Sequence, residues 1–403
     1  MDAAPAPSYA PTMGFDLGGV QAAVSEIASA WRGDRVERQR RRHLDRADFD
    51  LLREAGLLRV VVPVGSGGLW EGMASLRPLC EIYRSLAAGD PSVALVSSMH
   101  PAVLAFWLAT PGVAPSAWEE QRQAAFASAV AGEQWGTITS EPGSGGDIAR
   151  TRAVATPLER APFMPGASFG VSGDKHFGSG SGITDRMMTT AVPEGESDPT
   201  IFVIDVRDRP WDGSTGMQLV AEWDGMGMAA TQSHAMRLEA APSVRLAWDG
   251  PLEPIARAAS PFSASLFTAV VLGVVDEAVA LARSQLREKV GLLRPFEQVE
   301  WSRAEHDHWI ATQCYEGGLR AALGGGPGDA QYGTLRAKEA VAELAEHTLR
   351  RLTQVLGGGT FSQRSPFAHW FEDVRALGFL RPPWGLAYDS LFAGSFTPPD
   401  RTP

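Results

Sequence analysis

Cysteine is nearly absent: Cys80 and Cys314 are the two in a chain of 403 residues. Two thiols build neither a disulfide framework nor a cysteine-ligated metal site, and a reducing, cytoplasmic setting is expected. Positive charge is also in deficit, with 36 Lys and Arg against 47 Asp and Glu and a net charge of -11. That balance excludes nucleic acid as a default partner, because neutralising phosphates takes a basic surface. Residues 1–11 are rich in Ala and Pro but lack the basic start and apolar stretch of a signal peptide, so a loose tail is expected. The most apolar run, 91–108, carries Ser97, Ser98 and His100, which predicts a buried helix and no membrane span.

The chain is long enough to bury a large core divided among two or three domains. Helical spacing dominates its first third: Val20, Val24, Ile27 and Trp31 share one stripe, and helices are predicted over 73–88, 91–108 and 119–130. The basic run 35–42 is read as a solvated helix face. Asp48 is expected to cap a short helix that Gly56 ends. After Ala131 the period changes to two, with short runs at 151–156, 187–192, 201–206 and 235–238 bounded by Gly, Pro and Asp. Helical spacing returns over 263–289, 297–323, 331–356 and 368–377. Residues 397–403 are expected to be disordered.

Between Trp135 and Asp185 two β-prone runs each feed a loop crowded with Gly and Ser. The first reads Thr139-Ser140-Glu141-Pro142-Gly143-Ser144-Gly145-Gly146-Asp147, and the second Gly173-Asp174-Lys175-His176-Phe177-Gly178-Ser179-Gly180. Such loops expose backbone N–H groups and small hydroxyls, the donors that a flat polar ring or a pyrophosphate needs.

In order and spacing the pair resembles the acyl-CoA dehydrogenase superfamily, whose loops read T-E-P-G-x-G-S-D and N-G-x-K-x-W-I-T-N-G. The similarity extends to Leu52-Arg53-Glu54-Ala55-Gly56-Leu57-Leu58, to Trp223-Asp224-Gly225-Met226-Gly227-Met228, to Gln354-Val355-Leu356-Gly357-Gly358-Gly359 and to Phe371-Glu372-Asp373-Val374-Arg375. The resemblance implies an α+β fold: an N-terminal α-helical domain (1–130), a middle antiparallel β-barrel domain (131–250) and a C-terminal four-helix bundle (251–403). It implies FAD as cofactor, with FMN possible in a monooxygenase, and a homodimer or homotetramer. Thr137, Thr139, Ser140 and Gly145 would line the flavin from the first loop. Phe177 would pack on the ring and Ser179 sit near N5. Arg287, Gln298, Gln354, Gly357 and Gly358 would reach the pyrophosphate and adenine half from a neighbouring subunit.

Most family members abstract the acyl α-proton with a glutamate, either in the segment after R-D-x-R or on the first helix of the last block. Counting from Arg375 puts Arg381 at the first position, and no acid lies between Ser260 and Val275. Arg381 is therefore read as a replacement charge that binds an acidic substrate or stabilises an enolate, ahead of a structural anchor. Gly146 stands where the family has serine, and Ala229 where it has arginine.

His100 is read first as a satisfied core histidine and second as an active-site proton donor. Glu141 is read as a turn carboxylate, and His306, Asp307 and His308 as surface residues, since helix positions two apart face different ways. Three functions follow. An FAD-dependent dehydrogenase of an acyl thioester, working with an electron-acceptor protein, is placed first. A monooxygenase fed reduced flavin by a separate reductase is second, favoured by the missing glutamate and by Phe177-Gly178-Ser179-Gly180. A catalytically silent flavin-binding protein is third.

Overall fold

The computed structural model describes residues 16–109, 116–159, 164, 166–248, 250–325 and 329–396. The expectations for residues 1–11 and 397–403 lie outside them.

Among the described residues six α-helices come first: α1 (Leu17–Gly33), α2 (Arg35–Arg38), α3 (Arg46–Glu54), α4 (Leu76–Gly89), α5 (Pro91–Leu108) and α6 (Ser116–Val130). Asp90 caps α5 by accepting from Val93 N (3.0 Å), and Pro91 opens the helix where its missing N–H costs nothing. Apolar on every side, α5 is buried along nearly its whole length. The N-cap of α3 is Asp45, not Asp48. Asp48 is instead buried under Arg38, whose Nη2 donates at 2.7 Å, while Arg38 Nε donates to Asp90 (2.8 Å). Arg35 pairs with Glu277. The basic run is thus partly an internal ion-pair network and not a solvated face, because its acidic partners arrive from distant parts of the chain.

Seven strands follow among the described residues: β1 (Trp135–Thr137), β2 (Val154–Pro157), β3 (Phe169–Gly178), β4 (Arg186–Pro193), β5 (Thr200–Asp205), β6 (Met217–Ala221) and β7 (His234–Arg245). Strands β4, β2, β3, β7 and β5 pair in turn, and β5 pairs back with β4, which closes a barrel. The barrel is mixed where a wholly antiparallel one was expected: β1 and β2 both run parallel to β4, one after the other along the same edge. Its interior is apolar, with Val171, Ala191, Phe202 and Ala241 fully buried.

The last block holds α7 (Leu252–Leu286), α8 (Pro295–Ala322), α9 (Ala330–Leu356), α10 (Pro366–Arg375) and α11 (Trp384–Ser395), the last not anticipated from spacing. Helices α7 to α10 pack on one another, and α7 also lies against α4 and α5. Gly273 permits that approach, since a Cβ there would lie 2.0 Å from Arg84 O. The segments Pro91–Leu108 and Leu252–Leu292 are long and apolar enough to cross a membrane, but 89% and 78% of those windows are buried inside the protein.

Candidate active site

The first glycine loop is aimed by a tryptophan cluster. Trp135, which opens β1, packs edge-on against Trp107, and its indole donates to Ser128 Oγ (2.8 Å). Its backbone N–H donates to His100 Nδ1 (3.1 Å), and His100 Nε2 donates to Leu58 O (3.0 Å). With Nδ1 accepting, the ring is neutral and carries its proton on Nε2. Burial pushes its pKa down to about 4. Both nitrogens are thus spent on backbone, and His100 has no proton to offer a ligand. It is a core histidine that holds β1.

Beyond β1, Ile138 N donates to Met188 O (2.8 Å) and Thr189 Oγ1 donates to Ile138 O (2.7 Å), so the chain stays extended into Thr139 and Ser140. His176 N donates to Ser140 O (2.8 Å), which ties the first loop to the second. Among the described residues, the hydroxyls of Thr137 and Thr139 have no hydrogen-bond partner in the protein, and both residues are half-buried.

Glu141 turns inward. Its Oε1 accepts from Lys175 Nζ (2.6 Å) and from Thr151 Oγ1, and its Oε2 accepts from Arg152 N (2.7 Å). Lys175 is 0% exposed and also donates to Thr190 O (2.6 Å). Burial alone would raise the Glu141 pKa, but the hydrogen bonds from Lys175 and Thr151 outweigh it and hold the carboxyl below its usual range. Asp147 caps the next turn through Ala149 N (2.9 Å). Ser144 Oγ donates to Glu141 O (3.0 Å), and Gly145, at φ 65, continues the turn.

The second loop carries Phe177 at φ 58, a left-handed backbone that few non-glycine residues adopt. Its ring is 56% exposed and stands edge-on to Trp223 at 6.0 Å. A large aromatic held in that backbone and left largely open is a surface built to be covered. Ser179 lies in a hydroxyl chain: Thr231 Oγ1 donates to Met228 O (2.8 Å), and Ser233 Oγ lies 2.8 Å from both Thr231 Oγ1 and Ser179 Oγ. With the Thr231 proton used, Ser233 donates to Thr231, and Ser179 donates to Ser233. Ser179 therefore keeps only acceptor capacity for a ligand.

The C-terminal return closes the site. Arg381 Nη2 donates to Ser140 Oγ (3.1 Å). The residues after it are pinned from two sides. Lys338, buried on α9, donates to Pro382 O (2.9 Å) and to Glu339 Oε1 (2.8 Å), and Pro383 lies on Gly146. A Cβ at Gly146 would come within 2.9 Å of Pro383 Cγ, and Gly146 sits at φ 82. The glycine that replaces the family's serine and the prolines after Arg381 are one feature. Burial pushes the Arg381 pKa down to about 10, with Asp147 acting the other way. Lys338 was missed in the sequence, although a lysine on the stripe of Leu335, Val341, Ala342 and Ala345 was its signal.

Arg287, Gln298, Gln354 and Gly358 are exposed, and Gly357 is half-buried at the end of α9. Gln354 lines a groove of about 760 Å³ with Phe296, Val299 and Arg350. Among the described residues, no hydrogen bond or ion pair joins these positions to either glycine loop. His308 and Asp307 are paired with Asp276 and Arg351, and no metal cluster exists among the described residues.

A helical block, a closed barrel with two glycine loops at its rim and a helical bundle make the fold of the acyl-CoA dehydrogenases. FMN-bound TdsC, a dibenzothiophene monooxygenase from Paenibacillus sp. A11-2, superposes with a TM-score of 0.74 at 21% identity, over 94% of this chain and 98% of that one. Butyryl-CoA dehydrogenase from Megasphaera elsdenii superposes with a TM-score of 0.78 at 18% identity, over 96% and 100%. In sequence the chain is 26% identical to dibenzothiophene monooxygenase from Rhodococcus qingshengii over 207 residues, 51% of this chain and 45% of that protein. It thus spans about half the length of the curated relatives of that name. No family model matches the chain.

Proposed function

We propose that the chain is a flavin-dependent monooxygenase that receives reduced flavin from a separate reductase and oxygenates a small molecule with O2. This reverses the order expected from sequence. The observation that carries it is the fate of the carboxylates around the site. Glu141 is consumed by Lys175, Asp147 caps a turn, Glu372 pairs with Arg375, and Asp373 accepts from Met228 N (2.6 Å). Each of these four already has a partner, whereas acyl thioester oxidation requires a carboxylate free to take an α-proton. Oxygenation by reduced flavin needs no such base. The relatives named as monooxygenases support the same reading.

The residues present fit a flavin. Phe177 offers an exposed face for the ring system. The Thr137 and Thr139 hydroxyls can serve its polar edge. Ser179, as an acceptor, suits the N–H that a reduced flavin carries and an oxidised one lacks. When bound, the flavin would supply the electrons that activate O2. The chain's own residues would hold the ring, orient it and position substrate beside it.

The apolar positions Val290, Leu292, Phe296 and Phe361, exposed at 66%, 81%, 57% and 85%, support a homo-oligomer in which Arg287, Gln298, Gln354, Gly357 and Gly358 serve a neighbour's FAD. FMN, which has no adenine half, would leave the Gln354 to Gly358 segment idle.

The test is an anaerobic and an aerobic titration of the purified protein with flavin. Binding of reduced flavin, O2-dependent product formation and no bleaching of bound oxidised flavin by acyl-CoAs are expected. Bleaching by an acyl-CoA without oxygen would restore the dehydrogenase. Absence of flavin affinity would point to neither enzyme, and flavin binding with neither bleaching nor product would leave the silent reading.

A further inference from the structure

The charged groups at the rim of the barrel do not balance. Lys175 is neutralised by Glu141, whereas Arg381 makes one hydrogen bond, to the Ser140 hydroxyl, and among the described residues no carboxylate lies within ion-pair distance of it. Other well-covered arginines are treated differently: Arg38 holds Asp48 and Asp90, Arg84 holds Asp276, and Arg351 holds Glu300 and Asp307. A guanidinium has five N–H donors in a planar fork, so most of the Arg381 fork is unused.

Nor is Arg381 needed to anchor the C-terminal return. That segment is held by Lys338 on Pro382 O and by the seating of Pro383 on Gly146, both independent of the guanidinium. Those contacts instead preorganise the side chain beside Ser140, one backbone hydrogen bond from the strand that delivers Phe177. Preorganised, half-buried cations without a direct ion pair bind anions well, because the desolvation has already been met in the free protein.

We infer that Arg381 is the specificity-determining residue of the site, and that the substrate carries a planar oxyanion, a carboxylate in the first instance, which the Arg381 fork clamps with the Ser140 hydroxyl beside it. The inference deepens the flavin-enzyme reading and rests on it for the location of substrate, not for the anion preference. Burial is what lowers the Arg381 pKa, and Asp147, beyond ion-pair distance, offsets part of that through space.

The test uses the full chain with benzoate as probe, benzamide as its uncharged counterpart and inorganic phosphate as a non-planar oxyanion. Thermal shift and perturbation of bound flavin are read for wild type, Arg381→Lys and Arg381→Gln. Benzoate is expected to raise the melting temperature of wild type, with benzamide inert and phosphate weaker. Benzoate affinity should fall about tenfold or more in Arg381→Gln, with partial recovery in Arg381→Lys. Equal benzoate affinity in wild type and Arg381→Gln overturns the inference. So does loss of flavin affinity in Arg381→Gln with benzoate binding retained, which would assign the guanidinium to the cofactor. Thermal shift reads the anion without turnover, so the clamp stands or falls separately from the monooxygenase assignment. If Arg381→Gln does not fold, Arg381→Lys alone decides, through benzoate affinity relative to wild type.

Discussion

The two sides of one peptide, Ser140–Glu141, face opposite electrostatic worlds. On the inner side Glu141 meets Lys175, with Thr151, Arg152 N and Thr190 O completing the set, and every charge has a partner. On the outer side Ser140 meets Arg381, whose hydrogen bond is to that hydroxyl and which Asp147 reaches only through space. Consecutive residues of an extended chain point to opposite faces, so a single stretch of backbone can serve both. The inner side is closed because it is structure. The outer side is open because something else completes it.

The sharpest way to break this contrast is to remove the inner cation. Lys175→Met would leave Glu141 buried without its partner and should cost about 3–5 kcal/mol, read as a fall in the denaturant midpoint. Arg381→Gln, by contrast, should cost only about 1 kcal/mol, since it removes one part-buried hydrogen bond and no direct ion pair. Equal losses in the two variants would erase the distinction between closed and open sides.

Asp373 offers the mirror image, a buried carboxylate with a backbone donor and, among the described residues, no cation. Burial pushes its pKa up to about 7. The folded-state value lies above the unfolded one, so its contribution to stability is full below about pH 4 and is lost as pH rises towards 7. Asp373→Asn should therefore gain about 2 kcal/mol relative to wild type between pH 5 and pH 8, measured by melts across that range. No change in the difference between the two proteins would show the carboxylate to be compensated.

Gly146→Ser tests whether the inner loop and the outer return are one unit. A side chain there meets Pro383 and a left-handed backbone, and about 1–3 kcal/mol should be lost. Benzoate affinity should fall with it, because Arg381 would lose its seat. The smallest effect is expected far from both sides: Arg287→Ala should alter stability by no more than about 0.5 kcal/mol. It should weaken FAD binding by the oligomer while sparing FMN, measured by flavin titration.

Much of this was legible locally. The glycine loops, the change of period after Ala131 and the helical blocks depend on short-range spacing, and the closed barrel between helices follows them. The position of Arg381 could be counted from Arg375 because that connection is short. Charge partners were not legible. The run 35–42 looked like a solvated face because Asp90 and Glu277 lie far along the chain. Asp48 looked like a cap because its real partner, Arg38, sits on a different helix. His100 kept two readings until Leu58 O and Trp135 N were placed at its two nitrogens.

By itself the sequence determined the order of helix, strand and helix and the two glycine loops, because hydrophobic period and backbone permissiveness are properties of neighbouring residues. Only the tertiary structure decided which charges cancel and which remain. Compensation depends on distance through space, and Glu141 and Lys175 stand 34 positions apart while Arg381 and Ser140 stand 241 apart.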